Sequence, residues 1–361
     1  MKATQKLHAL GQSLWLDNIT RDLLTTGTLQ RYIDELSITG LTSNPTIFDH
    51  AVARSHSYDD DIGRLVGAGK SDEALFFELA IADLTKAADM FAPIFQRTAG
   101  VDGFVSLEVS PLLAYDTAQT VAEARALHGK AKRPNLFIKI PGTLEGLPAI
   151  EESIFAGVPV NVTLLFSPEQ YVRAAEAYLR GIERRIEAGL NPQVGSVASL
   201  FLSRWDVAVA SKVPAALVNR LGIAIGQRAY KLYAELIASE RWLRVFNEGA
   251  RAQRLLFAST GTKDPKASDI LYVKALVAPL TVNTVPEGTL KAFADHGEVA
   301  DVIPSDGGDC DRVLAEFERA GIDLAALAAR LQDEGAASFV KSWEDLLKVV
   351  SSKGAALAKA G

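Results

Sequence analysis

A lysine in the middle of an apolar strand is the first residue in this sequence that indicates chemistry. Residues 135–143 read NLFIKIPGT, a pattern typical of a short buried strand that ends at Pro141. Lysine is rarely buried, because removing an ammonium group from water is costly. Lys139 therefore either reaches solvent from a strand end or is buried for function. A lysine in apolar surroundings loses its proton more readily, and the neutral amine attacks carbonyl carbons, so we favour Schiff-base chemistry.

Schiff-base chemistry on a sugar needs partners for the amine. A carboxylate must move protons during dehydration, and a second acid–base group must serve the bond that is cleaved. Hydrogen-bonding side chains must hold the substrate hydroxyls. Polar residues near the ends of other apolar segments could supply these groups: Asp17, Asn44, Glu108, Asn161, Thr163 and Ser199.

The elements that would position these residues are eight short apolar segments, mostly separated by helical patterns. They lie at residues 14–17, 40–44, 103–110, 136–141, 158–166, 194–203, 254–260 and 280–285. This alternation predicts a (β/α)8 barrel. Residues 309–360 have a wholly helical pattern. We therefore expect one barrel domain over residues 1–361, with a helical C-terminal extension from about residue 305 packed on its outside.

Seven of the eight predicted strands carry a polar group near the carboxyl end, where the active sites of parallel barrels are built. Each residue alone has an ordinary interpretation. Asn44 precedes Pro45 and fits a turn, Asp17 and Ser199 fit helix caps, Glu108 fits a salt bridge, and Thr163 is a common strand residue. Their shared position at one end of successive strands favours a catalytic site with Lys139 inside it.

Two cations near the same rim suggest an anionic substrate. Ser259 opens the loop STGTK, which ends at Lys263 and resembles a weak phosphate-binding turn. Arg204 follows the sixth predicted strand. Two cations at one rim fit the phosphate of a sugar phosphate.

The sequence offers no convincing metal or nucleotide site. His56 with residues 59–61, and Cys310 with nearby aspartates, are better explained by helix starts and turns than by metal binding. Neither GxGxxG nor GxxxxGK[ST] is present. We expect no metal and no cofactor.

Composition narrows the remaining classes of function. The 361-residue chain has a formal net charge of −6, which argues against a nucleic-acid or anionic-membrane partner. No stretch approaches the ~20 apolar residues that span a bilayer. The N-terminus lacks a secretory signal pattern, and the single cysteine excludes an intrachain disulfide, so we expect a cytoplasmic protein. The oligomeric state stays open.

Several segments resemble the transaldolase family. GLTSNPTIF at residues 40–48 is similar to the first family signature, and LFIKIPGTLEG at residues 136–146 is similar to the active-site lysine signature. SLEVSP, VNVTLLFS and SVASLFLSRWD also match family segments in order. The resemblance covers about residues 12–300. It implies a (β/α)8 barrel, transfer of a dihydroxyacetone unit from a ketose phosphate to an aldose phosphate, and no metal.

The resemblance also implies a role for each candidate residue. Lys139 would be the nucleophile, Glu108 and Thr163 would hold a proton-shuttling water, and Asp17 would be the acid–base at the cleaved bond. The substrate hydroxyls would be held by Asn44, Asn161 and Ser199, and the phosphate by Arg204. After Ser259 many transaldolases carry an arginine two residues on; here that position is Gly261, and we infer that Lys263 takes over the phosphate.

Two alternatives remain at this stage. A fructose-6-phosphate aldolase is similar but releases free dihydroxyacetone, and it typically carries Gln and Tyr where this chain has Glu108 and Phe201. The second alternative is a sugar-phosphate-binding barrel without catalysis, against which the intact set of Asp17, Glu108 and Lys139 argues. Phe201 is therefore a further candidate residue of the substrate site.

Overall fold

Eight parallel strands close into a barrel in the order of the sequence. The computed structural model describes residues 1–299 and 301–360. The strands are β1 (Ser13–Asp17), β2 (Ile38–Thr42), β3 (Val105–Glu108), β4 (Leu136–Pro141), β5 (Val160–Leu165), β6 (Ser196–Phe201), β7 (Gln253–Ala258) and β8 (Val282–Val285). The predicted (β/α)8 barrel with additional C-terminal helices is confirmed.

Helices connect and surround the strands. In chain order they are α1 (Ala3–Ala9), α2 (Arg21–Thr25), α3 (Thr28–Leu36), α4 (Pro45–Arg54), α5 (Asp59–Gly67), α6 (Asp72–Arg97), α7 (Thr117–Ala131), α8 (Gly146–Phe155), α9 (Pro168–Glu187), α10 (Ser203–Val209), α11 (Leu221–Ile237), α12 (Glu240–Asn247), α13 (Leu271–Ala275), α14 (Glu287–His296), α15 (Cys310–Arg319) and α16 (Leu324–Ala360). Short 3₁₀ turns lie at Pro111–Leu113 and Ala215–Leu217. In the described part of the chain, no helix combines the length and apolar character needed to cross a bilayer.

The inward faces of the strands change character along the barrel axis. Near the amino ends they carry the apolar side chains of a separate core cluster, including Trp15, Phe137 and Val282. Two residues further along β1 and β4 the inward positions are Asp17 and Lys139, because side chains alternate with a period of two. The barrel interior therefore changes from an apolar layer to a polar layer towards the carboxyl ends of these strands.

Seven of the eight predicted strands have boundaries that shift by one or two residues in the structure. The second predicted strand ends at Thr42 in the structure, so Asn44 lies beyond it and is the N-cap of α4. Its side-chain oxygen accepts a hydrogen bond from the Ile47 amide at 3.1 Å. The helical C-terminal stretch is divided at residues 320–323, where Gly321 has a φ of +87°.

The long helix α16 packs against the carboxyl-end side of the barrel. Gln332 donates hydrogen bonds to the carbonyl of Gly142, just after β4 (3.1 Å), and to the carbonyl of Leu164, in β5 (2.8 Å). Further along, Trp343 packs edge-on against Phe76 of α6, with ring centroids 5.0 Å apart. The helix therefore places its side chains over the end of the barrel where the polar residues lie.

Candidate active site

Lys139 is buried at the carboxyl end of β4, with 5% of its surface exposed. Its Nζ lies 2.5 Å from Oε1 of Glu108 and donates a hydrogen bond to the carbonyl of Ser43 at 3.0 Å. The ring of Phe339, from α16, lies 6.0 Å from the same nitrogen. The lysine therefore does not reach solvent from the strand end; it lies inside the barrel beside one carboxylate.

Glu108 meets Lys139 because the two residues are register partners on β3 and β4. Burial raises the pKa of the Glu108 carboxyl; the nearby lysine opposes this, and the charge of Asp17 adds to it. A carboxyl group whose pKa is raised can both give and accept a proton. Glu108 is thus suited to move protons to and from the lysine nitrogen.

Asp17 ends β1 and faces the same space. Its Oδ1 accepts a hydrogen bond from the hydroxyl of Thr42 at 2.8 Å, and Thr42 in turn lies 2.8 Å from the hydroxyl of Thr284 on β8. Burial raises the pKa of the Asp17 carboxyl, against the opposing effects of Lys139 and the Thr42 hydrogen bond. Asp17 is therefore held in a fixed orientation and has the properties of an acid–base group.

Thr163 lies next to a backbone irregularity. The pairing of β5 with β6 shifts register between Val162 and Leu165, and Leu164 has a φ of +59°, which is rare for a leucine. Bulges of this kind often aim a side chain into a site. The Thr163 hydroxyl is buried and has no hydrogen-bond partner among the described residues. It borders a cavity of about 10 Å³ together with Glu108 and Lys139, which is room for about one water molecule.

Asn161 and Ser199 form a connected pair on β5 and β6. The Ser199 hydroxyl donates to the side-chain oxygen of Asn161 at 2.7 Å, and the Asn161 amide donates to the hydroxyl of Ser106 at 3.1 Å. Asn161 has no exposed surface and lies beneath Ser199. Ser199 therefore reaches the open part of the site, while Asn161 contacts it through Ser199.

The two predicted cations lie at the same rim but in different environments. Arg204, on α10, is half-buried; burial lowers the pKa of its guanidinium, and its carbon lies 5.5 Å from the centroid of the Phe201 ring. Within the described chain no carboxylate lies within ion-pair distance of either Arg204 or Lys263, and Lys263 is exposed. Ser259 has a φ of +55°, and its hydroxyl lies 2.8 Å from that of Ser203.

These residues surround an open cavity of about 300 Å³, here called the mouth cavity. Of the eleven residues predicted from the sequence, nine line it: Asp17, Asn44, Lys139, Thr163, Ser199, Phe201, Arg204, Ser259 and Lys263. Glu108 borders the adjoining small cavity, and Asn161 lies below the floor. The mouth cavity thus contains a buried amine, the Asp17 carboxyl, hydroxyls and two cations, and the Glu108 carboxyl borders the adjoining cavity.

Comparison with known proteins agrees with this arrangement. The model of the family described as Transaldolase/Fructose-6-phosphate aldolase matches residues 14–350. The chain belongs to this family. A protein named Transaldolase from Thiobacillus denitrificans is 44% identical over 96% of this chain and 99% of its own length. Others are Transaldolase from Thermobifida fusca, 44% identical over 98% of each chain, and Transaldolase 2 from Nostoc punctiforme, 40% identical over 95% of each chain.

Some residues that line the mouth cavity were not predicted from the sequence. Ser338 and Phe339 of α16 line the mouth cavity, and Thr284 supplies the polar group of the eighth strand. Thr284 could have been found, because it occupies an inward position near the end of its strand. No local signal in the sequence indicates which face of the barrel α16 covers, so Phe339 could not have been found.

The patches that were interpreted as ordinary turns and helix starts have ordinary contacts in the structure. His56 pairs with Asp59 at 2.7 Å, and Asp59 also pairs with Lys353 of α16 at 2.7 Å. Among the described residues, no group of three or more His, Cys, Asp or Glu side chains is arranged to hold a metal ion.

Proposed function

We propose that this protein is a transaldolase that uses Lys139 as its Schiff-base nucleophile. The enzyme transfers a dihydroxyacetone unit from sedoheptulose 7-phosphate or fructose 6-phosphate to glyceraldehyde 3-phosphate or erythrose 4-phosphate. This reaction belongs to the non-oxidative pentose phosphate pathway. Membership of the family supports the reaction class, and the geometry of the site supports the roles of the individual residues.

The observation that carries the proposal is the contact between Lys139 and Glu108 inside the barrel. An ammonium group 2.5 Å from a buried carboxylate can pass its proton to that carboxylate and become a nucleophile. The raised pKa of Glu108 favours the transfer, because the protonated carboxyl is the form that burial prefers.

Imine formation begins when the neutral Lys139 amine attacks the ketone carbon of the donor sugar. The carbinolamine must then lose its hydroxyl as water, which requires a proton. Glu108 supplies that proton through a water molecule placed between its carboxyl and the Thr163 hydroxyl. The small cavity bordered by these three residues has the volume for such a water.

Cleavage of the carbon–carbon bond requires a base on the other side of the substrate. Asp17 takes the proton from the hydroxyl on carbon 4, the bond between carbons 3 and 4 breaks, and an aldose phosphate leaves. The electron pair is delocalised into the imine, which remains as an enamine. When the acceptor aldehyde arrives, the new bond forms and Asp17 returns the proton to the oxygen.

The remaining residues hold the substrate. Asn44 and Ser199, which line the mouth cavity, would bind the hydroxyls of the dihydroxyacetone unit, and Asn161 would act with them through its hydrogen bond to Ser199. At the rim, Arg204, Ser259 and Lys263 would bind the phosphate. A guanidinium and an ammonium with no carboxylate partner in the described chain suit an anionic ligand.

Transfer, rather than release of free dihydroxyacetone, requires that the enamine is protected from protonation. Phe201 packs at 5.5 Å from Phe166 and at 6.5 Å from Phe339, so it presents an apolar ring in the wall of the mouth cavity. A tyrosine in this position would bring a phenol that can donate a proton. Phe201 thus favours the transferase over the aldolase alternative.

Borohydride trapping tests the proposal directly. The wild-type chain is incubated with fructose 6-phosphate and borohydride, and the intact mass is measured. We expect a gain of one reduced dihydroxyacetone unit, located on Lys139 by peptide mapping. Lys139→Arg should gain nothing, because a guanidinium does not deprotonate near neutral pH. The matched control Lys212→Arg, at an exposed position, should be labelled like the wild type.

Three outcomes would change the assignment. Labelling on a different lysine would move the nucleophile, and binding of the sugar phosphate without any adduct would favour the non-catalytic barrel. An adduct accompanied by release of free dihydroxyacetone faster than transfer to erythrose 4-phosphate would favour the aldolase. Two coupled assays on one preparation separate the last case.

We further propose that the protein acts in the cytoplasm on small sugar phosphates. The single cysteine, Cys310, is buried and unpaired by any disulfide, as is common in a reducing compartment. A net charge of −6 gives no electrostatic attraction to nucleic acid or to anionic lipid. Fractionation of the native cells with a marker enzyme would test this location.

A further inference from the structure

A second cavity lies at the amino-terminal end of the barrel, opposite the mouth cavity. It has a volume of about 560 Å³ and is here called the basal recess. It is lined by Phe104 and Phe137, whose rings stack with centroids 4.0 Å apart. Tyr233 and Trp242, from α11 and α12, form part of its wall. Small-molecule sites commonly have volumes of about 300–1,000 Å³ and walls of this aromatic kind.

The rim of the basal recess exposes large apolar side chains. Val101 is 47% exposed, Phe246 is 54% exposed and Leu280 is 59% exposed, and all three border the recess. Apolar side chains that are exposed singly are normal, but a group of them around an aromatic recess indicates a binding site.

Most polar groups near the floor of the recess already have partners. Asp102 accepts hydrogen bonds from Ser13 and from Trp15 Nε1 (2.9 Å), and Arg254 donates to Ser13 (2.7 Å) and to the carbonyl of Thr281 (2.7 Å). These buried groups satisfy one another, so they close the floor and leave little for a ligand to pair with.

Arg251 differs from these groups. It borders the basal recess, and its Nη2 donates to the carbonyl of Ala99 at 2.6 Å, which fixes the position of the guanidinium. No carboxylate of the described chain lies within ion-pair distance of it. A fixed guanidinium that keeps free donors beside an apolar cavity is suited to bind one end of an amphipathic anion.

We propose that the basal recess binds an aromatic carboxylate or a similar aromatic anion. The ring system would enter between the aromatic side chains of the wall and floor, where its faces and edges find aromatic partners. The anionic group would remain at the rim and accept hydrogen bonds from Arg251. This proposal does not depend on the proposed function, because the two cavities lie at opposite ends of the barrel.

Fluorescence titration with 8-anilinonaphthalene-1-sulfonate tests the proposal on the full chain. We expect saturable binding of one molecule per chain, displaced by 2-naphthoate but not by its neutral analogue 2-naphthylmethanol. Arg251→Gln should weaken binding about tenfold, since a charge-assisted hydrogen bond is lost. Arg251→Lys should recover part of that loss, because it restores the charge without the fork of donors.

A second variant tests the cavity rather than the charge. Ala252 borders the recess, so Ala252→Trp should fill part of it and abolish binding. Arg173→Gln, at an exposed position outside the recess, is the matched control and should bind like the wild type. Thermal unfolding of each variant shows whether it is folded, and this readout is independent of any enzymatic activity.

The proposal fails if titration does not saturate, or if neither Arg251→Gln nor Ala252→Trp changes the affinity. It also fails if 2-naphthylmethanol competes as well as 2-naphthoate. Sedimentation of the unliganded protein provides a further test. If Ala252→Trp dissociates an oligomer of the wild type, the recess is an interface between copies of this chain and not a ligand site.

Discussion

Each end of the barrel buries a carboxylate together with a cation, but the two buried carboxylates differ in how many hydrogen-bond partners they have. At the amino end, Asp102 accepts hydrogen bonds from Ser13, Trp15 and the Gly103 amide, and Arg254 donates to Ser13 and three backbone carbonyls. At the carboxyl end, Glu108 has only its contact with Lys139 among the described residues.

This difference separates a group that supports the fold from a group that is available for chemistry. Buried polar groups cost stability unless they are paired, and the network at the amino end meets that requirement. At the carboxyl end, burial raises the pKa of both Asp17 and Glu108, so each carboxyl is held in an environment that makes proton exchange easy. The contrast predicts that substitutions at the two ends will have different consequences.

The largest effect is expected at Lys139. Lys139→Met removes the proposed nucleophile and should lower kcat by at least about 10³-fold, because no other buried amine faces the mouth cavity in the described structure. The barrel should remain folded, since the change also removes a buried charge. Steady-state kinetics and urea unfolding on one preparation measure both effects. Turnover near the wild-type value would contradict the Schiff-base mechanism.

At the amino end of the barrel we expect a substitution to reduce stability and to leave kcat unchanged. Asp102→Ala leaves Arg254 buried without its carboxylate neighbour and removes the acceptor of Ser13 and Trp15. We expect the free energy of unfolding to fall by about 3–5 kcal/mol, as for other broken buried charge networks, with kcat per folded molecule unchanged. Urea unfolding gives the first value, and active-site titration by borohydride trapping normalises the second. A loss of kcat with unchanged stability would contradict the contrast between the ends.

The rim cations should affect binding rather than turnover. Arg204→Leu should raise KM for phosphorylated sugars by about tenfold or more, and Lys263→Met by less, because Lys263 is exposed and its interactions are screened by solvent. KM for an unphosphorylated ketose should change little in either variant. If Lys263→Met has the larger effect, the phosphate lies nearer to the loop after β7 than to α10.

The smallest effect that we expect is on the free energy of unfolding, from a substitution of Asp17 in the mouth cavity. The folded pKa of Asp17 is raised above its ordinary value of 3.8, so between these two pH values the native state retains a proton that the unfolded state has lost. Stability therefore falls as pH rises through that interval. Asp17→Asn should raise the free energy of unfolding by about 0.5–2 kcal/mol at pH 8, with no difference below about pH 3.8.

Asp61 on α5 provides a control, because its pKa is shifted in the opposite direction from that of Asp17. The hydrogen bond from Arg64 is the largest influence on Asp61 and lowers the pKa of its carboxyl, so Asp61→Asn should reduce stability at pH 8 rather than raise it. Unfolding curves at pH 4 and pH 8 measure both variants. If Asp17→Asn is destabilising at pH 8, the carboxylate contributes to the fold as well as to the site.

Alternation along the strands was enough to predict much of this arrangement. Apolar segments separated by helical patterns indicated the barrel, and the period of two placed Lys139 inside β4. Register between strands could not be read from the sequence, yet it is register that makes Glu108 and Lys139 direct neighbours. Polar residues at the ends of parallel strands converge because of the closed barrel, so their positions were predictable while their contacts were not.

Where the backbone departs from regular strand geometry, the alternation of inward and outward side chains no longer predicts which way a side chain faces. On β7 the inward residues are Leu256 and Ala258, so a regular strand would direct Ser259 outward. Its φ of +55° instead turns the chain, and the residue borders the mouth cavity. Nothing in the sequence STGTK specifies this turn at a serine. The position of Phe339 depends on contacts between residues that are distant in the sequence, so it could not be predicted from the sequence either.

The position of α16 has a consequence for the order in which the protein is made. The barrel strands end at Val285, but Phe339, which lies over Lys139, and Gln332, which ties α16 to β4 and β5, belong to the last helix of the chain. Proteins generally begin to fold from the amino terminus during synthesis. The ribosome therefore synthesises all eight strands of the barrel before it synthesises the helix that packs over Lys139.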